Sequence, residues 1–388
     1  IQAIDKPIKA KYDAIIIGSG MSGLTTAVLL AQHGKKVLVL EKHFKVGGFT
    51  HTFKRKKYEW DVGIHYIGEV HNKKSYSRRL FDRVTDSNLK WAKMDDNYDR
   101  IIFPDKSYDF IAPQKIFIET LSVQFPGEEE AIRGYVNLLH EQVKSGKGYF
   151  ASKALPKWLA PFLRNSMTKK FFKNADKSTK EVLKQFTQNE KLIGVLTGQW
   201  GDYGLPPERS SFAMHAMVAR HYLDGGNYPV GGSRMIAEYA TDLIESLGGK
   251  IVVNAGVDEL LVKGKKAIGV RLDNQDEVFA NTVVSSAGLV NTVNIFLRNQ
   301  PQADKFKSKL NKVQPTESYV CLYMGLNKTA EELGLKTTNL WIYPGYDHDE
   351  NVSKYMNDSS KQFPVVYVSF PSAKDPDWDK NHPGCATM

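Results

Sequence analysis

The hydrophobic and polar positions near the start of the chain predict a strand, a helix and a second strand in close succession. An apolar run at 14–17 leads into a turn with three glycines, and a helical stretch follows from Met21 and stops at Gly34. A second apolar run at 37–40 then ends at Glu41. Short runs that are apolar throughout are typical of parallel strands buried on both faces, so this stretch predicts a βαβ unit.

The glycines of the turn are spaced as in a dinucleotide-binding turn. Gly18 permits the tight bend, Gly20 lets a pyrophosphate approach the positive end of the helix, and Gly23 allows helix and strand to pack closely. Glu41, 18 positions after Gly23, is placed to accept a hydrogen bond from a ribose 2′-hydroxyl. The alternative is an ordinary βαβ turn with chance glycines. The predicted cofactor-binding residues of this unit are Gly18, Ser19, Gly20, Met21, Ser22, Gly23 and Glu41.

The residues after the second strand favour a flavin. A carboxylate at Glu41 would repel a 2′-phosphate, which disfavours NADP and leaves FAD or NAD. The pair Gly47–Gly48 lets a loop run along the phosphates and ribityl chain of FAD, whereas an NAD dehydrogenase does not need it. With the motif DxGxH at 61–65, this pair resembles the FAD signature of the amine-oxidase and phytoene-desaturase class. The predicted cofactor site therefore also includes Lys42, Gly47, Gly48, Phe49 and Thr50.

Elsewhere the pattern predicts helices and short strands separated by polar turns. The predicted helices cover 115–147, Ser210–Ala219, and a segment that follows a candidate N-cap at Ser233 and stops at Gly248. The predicted strands are Ile101–Phe103, Tyr108–Ile111, Ile251–Val253, Val257–Val262, Ala267–Leu272, Val278–Ala280, Tyr319–Leu326 and Val365–Phe370, with a further apolar run at Val283–Gly288.

These elements predict an α/β fold with a Rossmann-like domain. The resemblance to the amine-oxidase and phytoene-desaturase class implies an FAD-binding domain of the phytoene-desaturase (GR2) type, assembled from discontinuous segments. A mixed α+β substrate domain is inserted between them. The predicted FAD-binding segments are 1–112 and 229–290, and the substrate domain takes 113–228 and 291–388. By likeness to the flavoprotein class, Val257 offers backbone bonds to the adenine, and Ala287 and Gly288 return the chain beside the dinucleotide.

Composition narrows the range of partners. The 53 Lys and Arg residues against 43 Asp and Glu give a net charge of +10 and an isoelectric point of about 9.2. No RNA-binding aromatic motif, helix-turn-helix or zinc-ligand spacing accompanies this charge, so we predict no nucleic-acid partner and no metal. Cys321 and Cys385 lie far apart, which indicates a reducing compartment. Residues 1–11 lack a signal-peptide core, and no apolar run reaches 18 residues.

The segment 150–173 mixes large apolar side chains with cationic ones. Trp158, Phe162, Phe171 and Phe172 are interleaved with six lysines and arginines. This mixture suits the plane of a bilayer interface, where cations meet anionic headgroups. It predicts peripheral membrane association facing a reducing compartment, the cytoplasmic side in a bacterium. A helix packed on the substrate domain with a solvated basic face is an equally good interpretation.

His65 and Tyr66 are the candidate catalytic residues. The glycine-bordered loop 61–68 would place them beside a flavin ring if the cofactor follows the loop. A core histidine bonded to a backbone carbonyl is an equal alternative for His65. His215 and His221 are weaker candidates for a pocket, because aromatic residues at helical spacing more often belong to the core.

From about residue 12 to 388 the chain resembles the carotenoid desaturase and isomerase family, and within it the retinol saturase branch. The likeness includes GIHYIG at 63–68, SFAMHA at 211–216 and YPxGGS at 228–233, whereas FPSAKDP at 370–376 points to the saturase branch. It implies an FAD-dependent oxidoreductase that saturates one C=C bond of a retinoid or related polyene, of the all-trans-retinol to 13,14-dihydroretinol type. This family completes its FAD site with a C-terminal glycine-rich strand-turn-helix that the chain lacks, so we expect a longer protein.

In such an enzyme, hydride from reduced flavin reaches one end of the double bond and a proton reaches the other, with Tyr66 or His65 as donor. An apolar tunnel lined from about 150–222 would select the polyene by shape. The sequence has no second dinucleotide turn, so the external electron donor is left open. Two other hypotheses remain: a carotenoid desaturase or cis–trans isomerase with the same cofactor site, and a non-enzymatic carrier of prenyl groups or lipids, similar to the GDP-dissociation inhibitors.

Overall fold

The structure is a computed structural model that describes residues 2–3 and 11–388. Residues 1 and 4–10, which belong to the first predicted domain segment and to the stretch without a signal-peptide core, lie outside the described residues. In chain order the strands are β1 (Gln2–Ala3), β2 (Tyr12–Ile17), β3 (Val37–Leu40), β4 (Thr52–Arg55), β5 (Tyr58–Asp61), β6 (Ile67–Gly68), β7 (Trp91–Lys93), β8 (Asn97–Ile102), β9 (Ser107–Ile111), β10 (Gly226–Pro229), β11 (Lys250–Val253), β12 (Val257–Lys263), β13 (Lys266–Leu272), β14 (Glu277–Ser285), β15 (Gly325–Leu326), β16 (Asn339–Ile342), β17 (Val366–Val368) and β18 (Ala386–Thr387).

The helices connect and cover these strands. In chain order the α-helices are α1 (Met21–Gln32), α2 (Tyr76–Val84), α3 (Gln114–Gln124), α4 (Glu129–Lys153), α5 (Ala160–Ala175), α6 (Thr179–Leu183), α7 (Glu190–Leu196), α8 (Phe212–Tyr222), α9 (Arg234–Ser246), α10 (Leu289–Asn291), α11 (Asp304–Leu310), α12 (His348–Asn357), α13 (Pro371–Lys374) and α14 (Trp378–Asn381).

The largest sheet has seven strands in the order β1-β11-β3-β2-β14-β13-β12. The strands β11, β3, β2 and β14 are parallel, and β14, β13 and β12 form an antiparallel meander. Along β2, Ala14 and Ile16 pack towards α1 and α9, whereas Ile15 and Ile17 pack on the opposite face with residues of β12 and β13. Both faces of β2 are thus covered, which is why its sequence is apolar throughout. The predicted Rossmann-like α/β fold is confirmed.

A second sheet, β17-β16-β8-β9, joins strands that are far apart in the chain. The strand β16 pairs in parallel with β8, and Trp341 lies opposite Ile101. Residues of α3, α4, α7 and α8 pack with this sheet into the largest hydrophobic core. The predicted division at 112 counted β8 and β9 with the FAD-binding segment, whereas the structure pairs them with strands from the last predicted segment. The domain boundaries themselves stay predictions.

Several predicted elements differ in extent from the observed ones. The predicted helix at 115–147 is two helices, α3 and α4, separated near Gly127, whose φ is +87°. The segment 150–173 contains the end of α4 and most of α5, because the chain breaks at Pro156. The predicted strand Tyr319–Leu326 is wrong except for β15, since 319–323 pairs with no strand in the part of the chain that the structure describes.

Candidate functional site

The backbone just before α1 is uncovered at Gly20. The strand β2 ends at Ile17, Gly18 turns with φ of +91°, and Gly20 is the N-cap of α1 without a side chain that caps the helix. A Cβ added to Gly20 would meet no atom within 4 Å, whereas a Cβ on Gly23 would lie 2.1 Å from the Gly18 carbonyl oxygen. Gly23 is therefore needed for packing, and the space over Gly20 leaves the free N–H groups of the first turn accessible to an anion.

Glu41 is aimed at this turn by three hydrogen bonds. Its Oε2 accepts from the Ser19 backbone N at 2.8 Å and from Ser19 Oγ at 2.5 Å, and its Oε1 accepts from the His43 N at 2.8 Å. Ser19 Oγ in turn accepts from the Gly47 N at 3.1 Å. Oε1, which accepts one bond, keeps a second lone-pair direction for a ligand hydroxyl, whereas Oε2 already accepts two. The predicted acid therefore lies at the predicted turn.

The second glycine loop lies directly against the first. A Cβ on Gly48 would come within 3.0 Å of the Gly20 Cα, so the two loops meet backbone to backbone. The Thr50 hydroxyl donates to the Gly47 carbonyl at 2.9 Å and is buried, which closes this loop internally. Of the other predicted residues, Phe49 is 78% exposed, Lys42 and Ser22 are also exposed, and Met21 packs with a small apolar cluster.

The distant segments of the predicted cofactor site converge on the same turn. The Ser286 N donates to the Ile17 carbonyl at 2.8 Å, and a Cβ on Gly18 would lie 3.7 Å from the Ala287 N. A Cβ on Gly288 would meet no atom within 4 Å. The chain before Val257 is tied to the acid, because the Ala255 N donates to the Glu41 carbonyl at 2.8 Å. Bare backbone, a free helix start and a held carboxylate together fit a dinucleotide.

The loop after β5 is anchored by a buried acid. Asp61 Oδ1 accepts from the Ser233 N at 3.0 Å and from Ser233 Oγ at 2.6 Å, and Asp61 Oδ2 accepts from the Tyr228 hydroxyl. Burial raises the pKa of Asp61 although these bonds favour its charged form. Ser233 precedes α9 as predicted, but its side chain bonds Asp61 and the Thr50 carbonyl instead of capping the helix.

Tyr66 reaches a second buried acid. Its hydroxyl donates to Asp99 Oδ2 at 2.9 Å, and its ring stacks on Tyr222 with centroids 4.1 Å apart. Asp99 also accepts from Gln199 Nε2 at 2.7 Å and from Asn339 Nδ2 at 2.9 Å. Burial raises the pKa of Asp99 to about 6 against the effect of these donors.

Lys374 lies behind the two candidate catalytic residues. Its Nζ donates to the His65 carbonyl at 3.0 Å, to Asn339 Oδ1 at 2.5 Å and to Ser369 Oγ at 2.7 Å. Burial lowers the pKa of Lys374 to about 7. Burial and then the charge of Lys374 lower the pKa of His65 to about 4, so His65 is neutral at pH 7. The buried His65 Nδ1 has no hydrogen-bond partner in the part of the chain that the structure describes.

Sequence reasoning missed Asp99, Asn339 and Lys374 as members of this cluster. Lys374 lies in the FPSAKDP stretch that points to the saturase branch, and its ammonium group contacts the His65 carbonyl in the structure. Asp99 lies in β8 between Tyr98 and Arg100, and only its tertiary environment distinguishes it from a solvated acid. Among the described residues, no group of three or more His, Cys, Asp or Glu side chains is placed to hold a metal ion.

The two weaker histidine candidates have internal partners. His215 is fully buried, with Nε2 at 2.8 Å from the Tyr135 hydroxyl and Nδ1 at 3.0 Å from the Tyr203 hydroxyl. Burial lowers its pKa to about 3, so the ring is neutral. His221 Nε2 accepts from the Gly68 N at 2.8 Å. Both rings hold neighbouring elements together, which favours the core interpretation.

The helix α5 has one packed and one exposed face. Phe171 is buried and stacks on Tyr149 of α4 with centroids 4.4 Å apart. In contrast, Phe162 is 78% exposed, and Trp158, which precedes the helix, is 73% exposed; exposed Lys and Arg side chains lie beside them in the sequence. No helix within the described residues is both long enough and apolar enough to cross a membrane.

Comparison with known proteins agrees with the geometry of the turn. A family model described as an NAD(P)-binding Rossmann-like domain matches residues 16–84. An oxidoreductase from Methanosarcina mazei superposes with a TM-score of 0.63 at 17% identity, over 98% of this chain and 79% of that chain. Cyclohexylamine oxidase from Brevibacterium oxydans superposes with a TM-score of 0.61 at 18% identity, over 97% of this chain and 74% of that chain. Rab GDI from Plasmodium falciparum superposes with a TM-score of 0.53 at 12% identity, over 97% of this chain and 81% of that chain. Fold and turn define the class: a protein with a Rossmann-like dinucleotide-binding domain.

Sequence relatives narrow this class. All-trans-retinol 13,14-reductase of Danio rerio is 39% identical over 97% of this chain and 65% of its own length, and that of Homo sapiens is 34% identical over 98% and 65%. Prolycopene isomerase 2 of an Oncidium hybrid cultivar is 29% identical over 81% of this chain and 55% of its own length. The chain thus spans 65% of the length of the reductases that it matches. Its curated homologues are all-trans-retinol 13,14-reductases, with prolycopene isomerases more distantly related, which confirms the predicted resemblance.

Proposed function

We propose that this protein is an FAD-dependent oxidoreductase that acts on CH–CH bonds and saturates one C=C bond of a retinoid or related polyene, in the manner of all-trans-retinol to 13,14-dihydroretinol. The observation that carries this proposal is the bare backbone of Gly20 and Gly48 beside the held carboxylate of Glu41. It occurs in a chain 39% identical to a protein named all-trans-retinol 13,14-reductase.

The residues of the turn have separate tasks in this proposal. The first-turn N–H groups of α1 bind the diphosphate, and the second glycine loop leaves its backbone free to follow the cofactor. Glu41 accepts from a ribose hydroxyl while Ser19 and His43 keep it oriented. When bound, reduced FAD supplies the hydride. The protein excludes water and provides the proton, which neutral His65 does not carry as an imidazolium at pH 7.

Two other functions share these observations. Prolycopene isomerase 2 is 29% identical to the chain, so isomerase or desaturase activity on a carotenoid is the second candidate. A lipid carrier is the third candidate, because Rab GDI superposes on the chain. At 12% identity this likeness concerns the fold alone, so it ranks last. The acid held at the glycine turn favours a nucleotide cofactor and hence an enzyme.

An absorbance scan of the purified full-length protein followed by turnover assays separates these candidates. We expect a flavin spectrum, and we expect all-trans-retinol to be saturated when the flavin is reduced chemically under anaerobic conditions. Turnover of a carotenoid alone would favour the desaturase or isomerase. A colourless protein that binds a prenylated peptide would favour the carrier.

We also propose that the protein docks peripherally on anionic membranes through the exposed face of α5 and the residues before it, on the side that faces a reducing compartment. Trp158 and Phe162 are exposed apolar anchors, and the neighbouring lysines and arginines match anionic headgroups. A polyene substrate partitions into the same membranes, which would supply it locally.

Vesicle flotation tests the docking. We expect binding to vesicles that contain phosphatidylserine and much weaker binding to phosphatidylcholine alone, because part of the attraction is electrostatic. The double variant Trp158→Ala, Phe162→Ala should bind less, whereas Tyr76→Ala, which removes an aromatic ring that is 80% exposed elsewhere, should bind as the parent does. Equal binding of all three proteins would contradict the proposal.

A further inference from the structure

A buried hydrogen-bonded cluster lies behind the loop that carries His65 and Tyr66. Tyr66 is 5% exposed and Asp99 is fully buried, and their oxygens are 2.9 Å apart. Gln199 and Asn339, both buried, donate the other bonds to Asp99. A carboxyl group at this depth is costly unless its bonds are satisfied, and an apolar residue would fill the same volume at lower cost. The cost of burying this carboxyl group indicates that it has a chemical role and not only a structural one.

Tyr66 is the member of this cluster that lies towards accessible space. Its neighbour Asp202, in the turn after α7, is exposed, although the surrounding protein and the charge of Asp99 raise the pKa of Asp202. Tyr66 thus stands between Asp202, which solvent reaches, and Asp99, which solvent does not reach.

We propose that Asp99 and Tyr66 form the proton donor for the reduced double bond and that Lys374 is a positioning residue that holds them. The inference rests on the proposed function. Tyr66 Oη gives its proton to the carbon that does not receive hydride, and the carboxylic proton of Asp99 moves to Tyr66 Oη. Reduced flavin, when bound, would supply the hydride for the other carbon, so the double bond would gain two hydrogens, and Asp99 ends as a carboxylate. The 2.9 Å contact between the oxygens serves this transfer and its reversal on reprotonation.

The surroundings of Asp99 suit both of its protonation states. Before the transfer, burial favours the carboxylic acid and raises the pKa of Asp99 to about 6, which places the acid near neutral pH. After the transfer, Gln199 and Asn339 donate to the carboxylate, and the charge of Lys374 favours it. The titratable groups that face Asp99 from the packed elements are Tyr66, Tyr98, Asp202, Tyr222, Tyr343, Tyr367 and Lys374.

Lys374 acts through its neighbours and not by touching the substrate. All three of its bonds go to the protein, at the His65 carbonyl, Asn339 and Ser369. The bond to the His65 carbonyl fixes the backbone next to Tyr66, and the bond to Asn339 orients the amide that donates to Asp99. His65 is not the donor in this arrangement, because its ring is neutral at pH 7.

Infrared titration of the buried carboxyl group tests the cluster without turnover. We expect a carboxylic C=O band that disappears as pH rises through about 6 and that is missing in Asp99→Asn. The band should persist to higher pH in Tyr66→Phe and in Lys374→Met, because each change removes a group that favours the carboxylate. In Lys374→Arg, which keeps the positive charge, the pH at which the band disappears should return part of the way to the parent's value. Tyr367→Phe, which removes a nearby hydroxyl that does not bond Asp99, is the matched control.

Turnover then connects the cluster to the reaction. For all-trans-retinol with reduced flavin, Tyr66→Phe and Asp99→Asn should lower kcat by about 100-fold or more, with FAD binding unchanged and Tyr367→Phe close to the parent. An active parent with an equally active Tyr66→Phe overturns the proton-donor assignment and leaves the proposed function intact. A parent without activity on retinol overturns the proposed function. A carboxyl band that is unchanged in Asp99→Asn, Tyr66→Phe and Lys374→Met overturns the cluster itself.

Discussion

Gly20 and Gly23 differ in the room around them, so replacing each by alanine should separate cofactor binding from stability. A Cβ at Gly20 meets no atom within 4 Å, and its φ of −64° suits alanine. Losing a glycine N-cap costs roughly 0.5–1 kcal/mol, and the stiffer unfolded chain offsets about 0.4–1 kcal/mol. We expect Gly20→Ala to change the free energy of unfolding by less than about 0.5 kcal/mol.

Gly23→Ala should have the opposite profile. Its Cβ would lie 2.1 Å from the Gly18 carbonyl oxygen and 3.3 Å from Ser286 Cβ, so α1 must move away from β2 by about 1 Å to relieve the overlap. Overpacking of this kind costs about 1–3 kcal/mol, and the buried parallel sheet leaves little room for relaxation. Urea denaturation of both variants measures the difference in the free energy of unfolding.

Flavin binding completes the test. The new methyl group of Gly20→Ala would occupy the space over the first turn of α1, and we expect FAD to bind at least about tenfold more weakly, which corresponds to ~1.4 kcal/mol. Quenching of flavin fluorescence measures this affinity. Thr25→Ala, on the same helix, should match the parent in both assays. A Gly20→Ala protein that binds FAD as the parent does, or a Gly23→Ala protein of parental stability, would refute the reasoning.

Three further predictions concern the acid at the turn, the core histidine and the buried lysine. Glu41→Ala leaves the N–H groups of Ser19 and His43 without their acceptor and should lower the free energy of unfolding by about 1–3 kcal/mol in urea, which an unchanged midpoint would contradict. His215→Leu leaves the Tyr135 and Tyr203 hydroxyls without their partner and should cost about 2–4 kcal/mol with FAD affinity unchanged; a loss of affinity would place the ring in the cofactor site. Burial lowers the pKa of Lys374 from 10.5 to about 7, so between these pH values the unfolded chain binds more protons than the folded protein. The free energy of unfolding of the parent minus that of Lys374→Met should therefore rise from about pH 7 to pH 10.5 in urea denaturation, and a difference that does not change with pH would contradict the lowered pKa.

The dinucleotide turn could be predicted because its residues are local. The three glycines, the two apolar runs and Glu41 lie within about 30 positions of one another, and each has a conformational or chemical reason that depends only on its neighbours. Thr50 shows the limit of such reasoning. Its place beside the glycine pair was predicted, but its hydroxyl bonds the Gly47 carbonyl inside the loop, and the sequence alone does not show this contact.

The catalytic candidates show the same limit at longer range. A glycine-bordered motif predicts His65 and Tyr66 as candidates, and the sequence does not distinguish them as proton donors. The structure distinguishes them, because Tyr66 contacts Asp99, 33 positions away, whereas Lys374 contacts the His65 carbonyl from 309 positions away. Contacts at such separations depend on how the sheets assemble.

The sequence by itself determined the class of fold, the turn that suits a dinucleotide and the acid that faces it, since short-range sterics and periodic burial specify these features. Only the tertiary structure decided which strands share a sheet, that β8 joins β16 rather than the large sheet, and that a lysine, an amide and an aspartate meet behind Tyr66. The physical reason is that burial sets the protonation of these groups, and burial is a property of the packed chain.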